Sequence, residues 1–168
     1  MTIYWTTFQH QTWKFYAAAT EKGLCYLGPH HLAVNEMEVF LHKQLPNEEI
    51  KENENVLNPY MLELQEYLEG KRQKFELDVD LYGTAFQQKV WQALQQIPFG
   101  QTVTYSDIAE SIEKPQAVRA VGAAIGANPI FIIVPCHRVI GKNGALTGFR
   151  GGLDMKERLL LFEKAKET

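Results

Sequence analysis

The chain opens in strand-like alternation of apolar and polar residues, and from Thr84 onward its apolar residues recur every three or four positions. A two-residue period buries one face of a strand and a 3.6-residue period one face of a helix, so a change of period at one place predicts two differently built domains. The alternation in IYWTTF, WKFYAAAT and GLCYLG predicts three short antiparallel strands with turns at Gln9–Gln11 and Glu21–Gly23. Asn35 is placed to cap a helix through Met37, Phe40 and Leu41. The acidic stretch NEEIKENEN reads as a surface loop, and a second helix around Tyr60, Leu64 and Leu68 ends at Gly70. A last alternating stretch, FELDVDL, runs into LYGT, which marks the boundary between a domain of residues 1–80 and one of residues 81–168.

In the second domain Thr84 and Gln87 have the spacing of a capping box, and Phe86, Val90, Leu94 and Ile97 form one apolar face that stops at Pro98 and Gly100. After the extended TVTY, Ser106 is placed to cap SDIAESI, and Pro115 to begin PQAVRAVGAAIGA, two short helices in a helix-turn-helix arrangement. On the second helix Val118, Val121 and Ile125 form the core stripe. Arg119, Gly122, Ala123 and Gly126 form a neighbouring stripe, one long cation among residues with almost no side chain. Such a stripe admits close approach by another helix or by a ligand, at roughly 1 kcal/mol of helix propensity per glycine.

The apolar run IFIIV then reads as a buried strand that delivers the sequence PCHRVIG. Pro135 restrains Val134, so Cys136 emerges at the end of a rigid element. Cysteine is the strongest soft nucleophile among side chains, but an ordinary thiol pKa near 8.5 leaves little thiolate at neutral pH, and a base or cation is needed. His137 is the candidate. Neighbours in an extended chain face opposite sides, so the pair requires a bent backbone or a bridging water. The plainer alternative is a buried thiol beside a structural imidazole.

A chain that is 45% hydrophobic and 11% aromatic can bury a core. Its net charge of −3 hides an asymmetry: residues 1–83 carry 7 Lys/Arg against 13 Asp/Glu, a balance of −6, and residues 84–168 carry 10 against 7, a balance of +3. A mildly basic second half is compatible with a nucleic-acid surface and equally with an ordinary solvated face. No basic leader and no membrane-length apolar run is visible, so a soluble, cytoplasmic protein is expected. Two cysteines exclude a disulfide framework, and Cys25 within LCYL reads as core. Cys25, His30, His31 and His42 lack the spacing of a zinc site, so neither metal nor cofactor is expected.

PCHRVIG, with RAVGAAIGANP before it and NGALTGFRGG after it, resembles the signature of the O6-alkylguanine-DNA alkyltransferases. The likeness runs from GTAFQQKVWQAL through IPFGQTVTYSDIA to KERLLLFE, essentially the whole second half, and holds only in outline for the first. It implies an α/β N-terminal domain with a small antiparallel sheet and two helices, then a mainly helical domain with a winged helix-turn-helix-like DNA-binding unit. It also implies irreversible transfer of a methyl or larger alkyl group from O6-alkylguanine, and from O4-alkylthymine, in duplex DNA to Cys136 of a monomer that is spent in the act. Related non-repairing proteins carry tryptophan at this cysteine, so Cys136 implies competence.

By the same resemblance His137 is a water-relayed base and Glu163 the carboxylate that orients it. On its own, Glu163 is a helix-end charge whose flank, four residues after Leu159, can reach the core. Asn128 is implied to tie the turn between recognition helix and active-site strand, and Tyr105 to donate to the purine N3. Carbonyls at Cys136 and Val139 would select the exocyclic amine, and Ile125 would line the pocket. The turn of Thr147, Gly148, Phe149 and Arg150 would close it. Arg119 would fill the space of the flipped base, with Gln116, Ala117, Gly122, Ala123 and Gly126 against the minor groove. Phe149 stands where a tyrosine is common and Arg150 where a smaller residue often stands, so Arg150 is expected to narrow the entrance or contact a phosphate. Two other functions share these residues: a thiol hydrolase, marked by multiple turnovers, and a DNA-binding regulator that senses through Cys136, marked by sequence preference.

Overall fold

In the computed structural model, which describes residues 1–32 and 34–167, the opening alternation folds as three antiparallel strands, β1 (Thr2–His10), β2 (Trp13–Thr20) and β3 (Gly23–Pro29). The first hairpin turns tightly after His10, which pairs with Trp13, and Gln11 takes the left-handed φ of 55° that such a turn demands. Ile3, Ala18, Cys25 and Tyr26 form a buried cluster with Met37 and Leu41 of helix α1 (Val34–Gln44). Asn35 is therefore no cap. The helix already begins at Val34, which packs against that cluster, and Asn35 lies within its first turn. Helix α2 (Glu54–Leu68) is capped by the Asn53 side chain, buries Leu57, Leu64 and Tyr67, and packs on β1 and β2.

The stretch NEEIKENEN is a strand and a helix start instead of a loop. Glu49–Glu52 form β4, which pairs in parallel with β1 through Ile3↔Ile50, so the sheet runs β3-β2-β1-β4 and is mixed. Ile50 is the only apolar residue of β4 and packs against the core cluster. The strand forms because the open edge of β1 offers backbone partners, a reason that leaves no alternation in the sequence. FELDVDL, conversely, makes a single bridge, Leu24↔Val79, with Leu24 donating to Asp78 and Asp80 donating back to Leu24. A Cβ on Gly23 would lie 2.6 Å from the Asp78 carbonyl oxygen, so this approach requires glycine.

The chain divides into two compact units, Met1–Tyr82 and Gly83–Thr168. The second begins with α3 (Ala85–Leu94), whose capping box joins Thr84 and Gln87 in both directions. Ile97 is buried from the turn beyond this helix. A two-residue strand β5 (Val103–Thr104) leads into α4 (Tyr105–Ser111) and α5 (Val118–Gly126), and α3, α4 and α5 pack on one another. The Trp91 indole N–H donates to the Ala124 carbonyl at 2.8 Å, which ties α3 to the last turn of α5. Strand β6 (Val139–Ile140) pairs in parallel with β5, and α6 (Leu153–Lys166) packs on the turn that holds Cys136. None of the described helices is long and apolar enough to cross a membrane.

Two starts in this unit differ from expectation. Thr104, not Ser106, caps α4, accepting from the Asp107 amide while the Asp107 carboxylate accepts from the Thr104 amide. Pro115 and Gln116 stay outside α5, because the amides of Lys114 and Ala117 are used to close the turn after α4. Replacing a capping threonine costs about 1 kcal/mol. Thr104→Ala is expected to destabilise by that amount and Ser106→Ala by less than about 0.5 kcal/mol; denaturant unfolding of the two variants checks the order.

Candidate active site and nucleic-acid interface

The expected strand IFIIV is a coiled buried segment, and Asn128 is the reason. This side chain follows α5, is 1% exposed, accepts from the Ile130 amide at 2.9 Å and donates to the Val134 carbonyl at 2.8 Å. A buried loop must satisfy its backbone polar groups without a neighbouring strand, and here one amide side chain bridges both ends of it. Ile130, Phe131, Ile132 and Val134 are buried, and Ile132 is held at a φ of 70°, a costly conformation for a β-branched residue.

Past Pro135 the backbone makes one 3₁₀ turn, Cys136–Arg138, so Cys136 and His137 sit on a bent chain. His137 is fully buried and its Nε2 lies 2.7 Å from Glu163 Oε2 on α6. An ionised carboxylate can only accept, so Nε2 carries the proton and Nδ1 is left with the free lone pair. Nδ1 is buried without a protein partner among the described residues. Burial lowers the His137 pKa and the Glu163 interaction only partly restores it, so the imidazole is neutral at neutral pH. Burial alone would raise the Glu163 carboxyl, but hydrogen bonds and charge from His137 and Arg138 outweigh it and hold the carboxyl well below the usual carboxylate range.

Two buried cations complete the site: Arg138 within PCHRVIG and Lys156 at the start of KERLLLFE, neither of which was given a role from the sequence. Arg138 donates through Nε to Glu163 Oε1 at 2.8 Å and through a terminal nitrogen to Oε2 at 2.9 Å, and reaches the Ile97 carbonyl at 2.7 Å. A buried carboxylate needs more than one imidazole to be satisfied, which is the signal that a second donor had to exist. Lys156, 1% exposed, donates to the Thr147 carbonyl at 3.1 Å, and its Nζ lies 6.0 Å from the Tyr105 ring centroid and 5.8 Å from that of Phe149. Burial pushes the Cys136 thiol up to about 11, against the opposing effects of Asn128 and the Lys156 charge.

Tyr105 is the first residue of α4 instead of a strand residue, and its hydroxyl pairs with Thr147 Oγ1 at 3.0 Å. A Cβ on Gly122 would come within 3.8 Å of the Tyr105 ring. Ile125 and Val139 are buried, and the Val139 amide donates to the Cys136 carbonyl, leaving that oxygen one further lone pair. Thr147 and Gly148 are exposed, while Phe149 meets buried Phe131 edge-to-face at 5.3 Å. Arg150 is half-buried and turns toward the interior: it donates to the Asn128 carbonyl at 2.6 Å and lies over the Phe131 ring, a contact with its own unit that the sequence did not suggest. A hollow of about 540 Å³ beside Glu163 is lined by Gly100, Thr102, Leu146 and Leu160, among others, but not by Cys136 or Tyr105.

On α5 the stripe of Arg119, Ala123 and Gly126 is exposed and Gly122 partly so, next to buried Val121 and Ile125. Gln116 is exposed and Ala117 half-buried in the turn before it. Among the described residues no group of three or more His, Cys, Asp or Glu side chains could hold a metal ion.

Residues 3–81 match the ribonuclease-like domain of 6-O-methylguanine DNA methyltransferase, and residues 85–165 match the DNA binding domain of the same family. The inducible methylated-DNA–protein-cysteine methyltransferase of Bacillus subtilis is 53% identical over 97% of this chain and 91% of its own length. A methylated-DNA–protein-cysteine methyltransferase of Methanosarcina acetivorans is 42% identical over 96% of this chain and 98% of its own. The crystal structure of the Mycobacterium tuberculosis O6-methylguanine methyltransferase superposes with a TM-score of 0.86 at 35% identity, covering 99% of this chain and 96% of that one. Its complex with DNA gives 0.83 at 37% identity, over 97% and 94% of the two chains. With both halves matched and the likeness running nearly end to end, the chain belongs to the 6-O-methylguanine DNA methyltransferase family.

Proposed function

We propose that this protein repairs DNA by direct reversal, moving the alkyl group of O6-alkylguanine, or of O4-alkylthymine, onto Cys136 in a single irreversible step. The observation that carries the assignment to Cys136 is the neutral His137 beside it, fixed through Nε2 by Glu163 so that the basic Nδ1 serves the thiol. The thiol proton passes, through a bridging water, to Nδ1. Sulfur bonds to the alkyl carbon, the carbon–O6 bond breaks, and its electron pair leaves on the purine. Tyr105 donates to purine N3 and so stabilises the leaving anion. The product thioether is not cleaved by water, so the protein acts once. No cofactor is required.

The target base lies inside a duplex and must be extruded, at a cost of a few kcal/mol that damaged pairing lowers. Arg119 enters the vacated stack, and the shallow stripe of Gly122, Ala123 and Gly126, with Gln116 and Ala117, lies against the minor groove. Carbonyls at Cys136 and Val139 select the exocyclic amine, Ile125, Phe149 and Arg150 bound the pocket, and the Thr147–Gly148 turn offers an amide to O6. The protein works as a cytoplasmic monomer.

Intact mass after mixing with a duplex carrying one O6-methylguanine is expected to rise by about 14 Da, on Cys136, as an equivalent of lesion disappears. Lesion loss without an adduct would mark a hydrolase, and no reaction would favour a regulator. Arg119→Ala is expected to slow repair in duplex DNA at least about 10-fold more than reaction with free O6-methylguanine, because only the duplex requires extrusion; equal losses would remove Arg119 from that role.

The transfer rate should be level around neutral pH and fall in acid as His137 takes its proton, with a midpoint below the ordinary imidazole value of 6.5. Stability follows the same sign. The folded-state pKa is depressed, so the unfolded chain binds the proton first, and the stabilisation present above 6.5 is lost as pH falls. Single-turnover rates and thermal unfolding across that interval check both; a rate midpoint above 6.5 would exclude His137 as the base.

A further inference from the structure

Arg150 projects from the pocket-closing turn back into its own unit. It donates to the Asn128 carbonyl at 2.6 Å, just past the C-terminal end of α5, where a cation is favoured by the helix dipole. Its guanidinium carbon stands 4.8 Å from the centroid of Phe131, and Phe131 in turn meets the edge of Phe149 at 5.3 Å. Gly151 leaves these rings no slack: a Cβ there would come within 2.9 Å of both rings and 2.8 Å of Met155 Sδ. The turn is held at two further points, by Lys156 at the Thr147 carbonyl and by Tyr105 at the Thr147 hydroxyl.

The Asn128 that anchors Arg150 also ties both ends of the segment leading to Cys136. The Phe149 wall and the nucleophile thus share one fixed point. A wall that yields can make room for a larger alkyl group, and a wall braced on the same residue as the nucleophile cannot move without disturbing it.

We propose that Arg150 is a specificity-determining clamp that fixes the Phe149 wall relative to Asn128 and so restricts transfer to small alkyl groups. The proposal rests on the alkyl-transfer reading above. Discrimination of this kind reaches about 10-fold or more for a pocket of fixed volume.

The test compares wild type and Arg150→Ala in single-turnover reactions with duplexes carrying O6-methylguanine or O6-benzylguanine, scoring the adduct on Cys136 by mass. The benzyl-to-methyl rate ratio is expected to rise about 10-fold or more in the variant, whatever the absolute rates. General loosening or partial misfolding lowers both rates together, so an unchanged ratio overturns the clamp. If Arg150→Ala proves too unstable, Arg150→Met keeps an aliphatic stem over Phe131 without the donor for Asn128, and the same two outcomes apply. A wild-type protein that forms no methyl adduct overturns the alkyl-transfer reading itself, and the clamp with it; a methyl adduct with an unchanged ratio overturns the clamp alone.

Discussion

An ionised carboxylate taken out of water has to find several donors inside the protein, and Glu163 finds them from two directions. His137 supplies one hydrogen bond and Arg138 two, all between 2.7 and 2.9 Å. These bonds hold α6 to the turn that carries Cys136, and the remaining Arg138 nitrogen draws in the Ile97 carbonyl beyond the end of α3. They also decide the chemistry. With Glu163 kept anionic by a permanent guanidinium charge, the Nε2 proton of His137 is fixed in place, and basicity is directed to the opposite nitrogen. Breaking such a pair leaves a bare buried charge and costs about 3–5 kcal/mol, so the orientation of His137, the proposed base, and the stability of the unit rest on the same contacts.

Asn128 does for the backbone what Arg138 does for the charge. The apolar segment between α5 and Cys136 is too thoroughly buried to be solvated and forms no regular strand, and the two ends of one amide side chain close it. Because this knot starts where α5 ends and stops two residues short of Cys136, the helix proposed to meet DNA and the atom proposed to attack it are connected by a short, internally bonded path. The positive φ at Ile132 marks the conformational cost of that path.

The parts of this architecture that follow from repetition were legible in the sequence. The hairpin strands, the Thr84–Gln87 box and the exposed small-residue face of α5 all arise from periodic patterns or local capping chemistry. What was not legible arises from partners distant in sequence. β4 exists because β1 has an open edge, and its lone Ile50 carries no period. IFIIV has the composition of a strand, but Asn128 gives its backbone another way to be satisfied. Thr104 and Ser106 are equally good caps by type, and the Asp107 carboxylate that returns to Thr104 decides between them. Cys136 and His137 could be singled out from PCHRVIG by their chemistry, Glu163 only by resemblance, and Arg138 and Lys156 were given no role, since a cation in a sequence looks solvated until its carboxylate or carbonyl is known.

A protein that reacts once has a problem that a turnover enzyme does not: every accidental reaction of its sulfur is a permanent loss of capacity. Peroxides and stray electrophiles attack thiolates far faster than thiols. With burial holding Cys136 up at about 11, the resting sulfur is almost wholly protonated and almost wholly shielded. The same desolvation that slows the proposed nucleophile when idle thus also shields it from adventitious oxidation and alkylation.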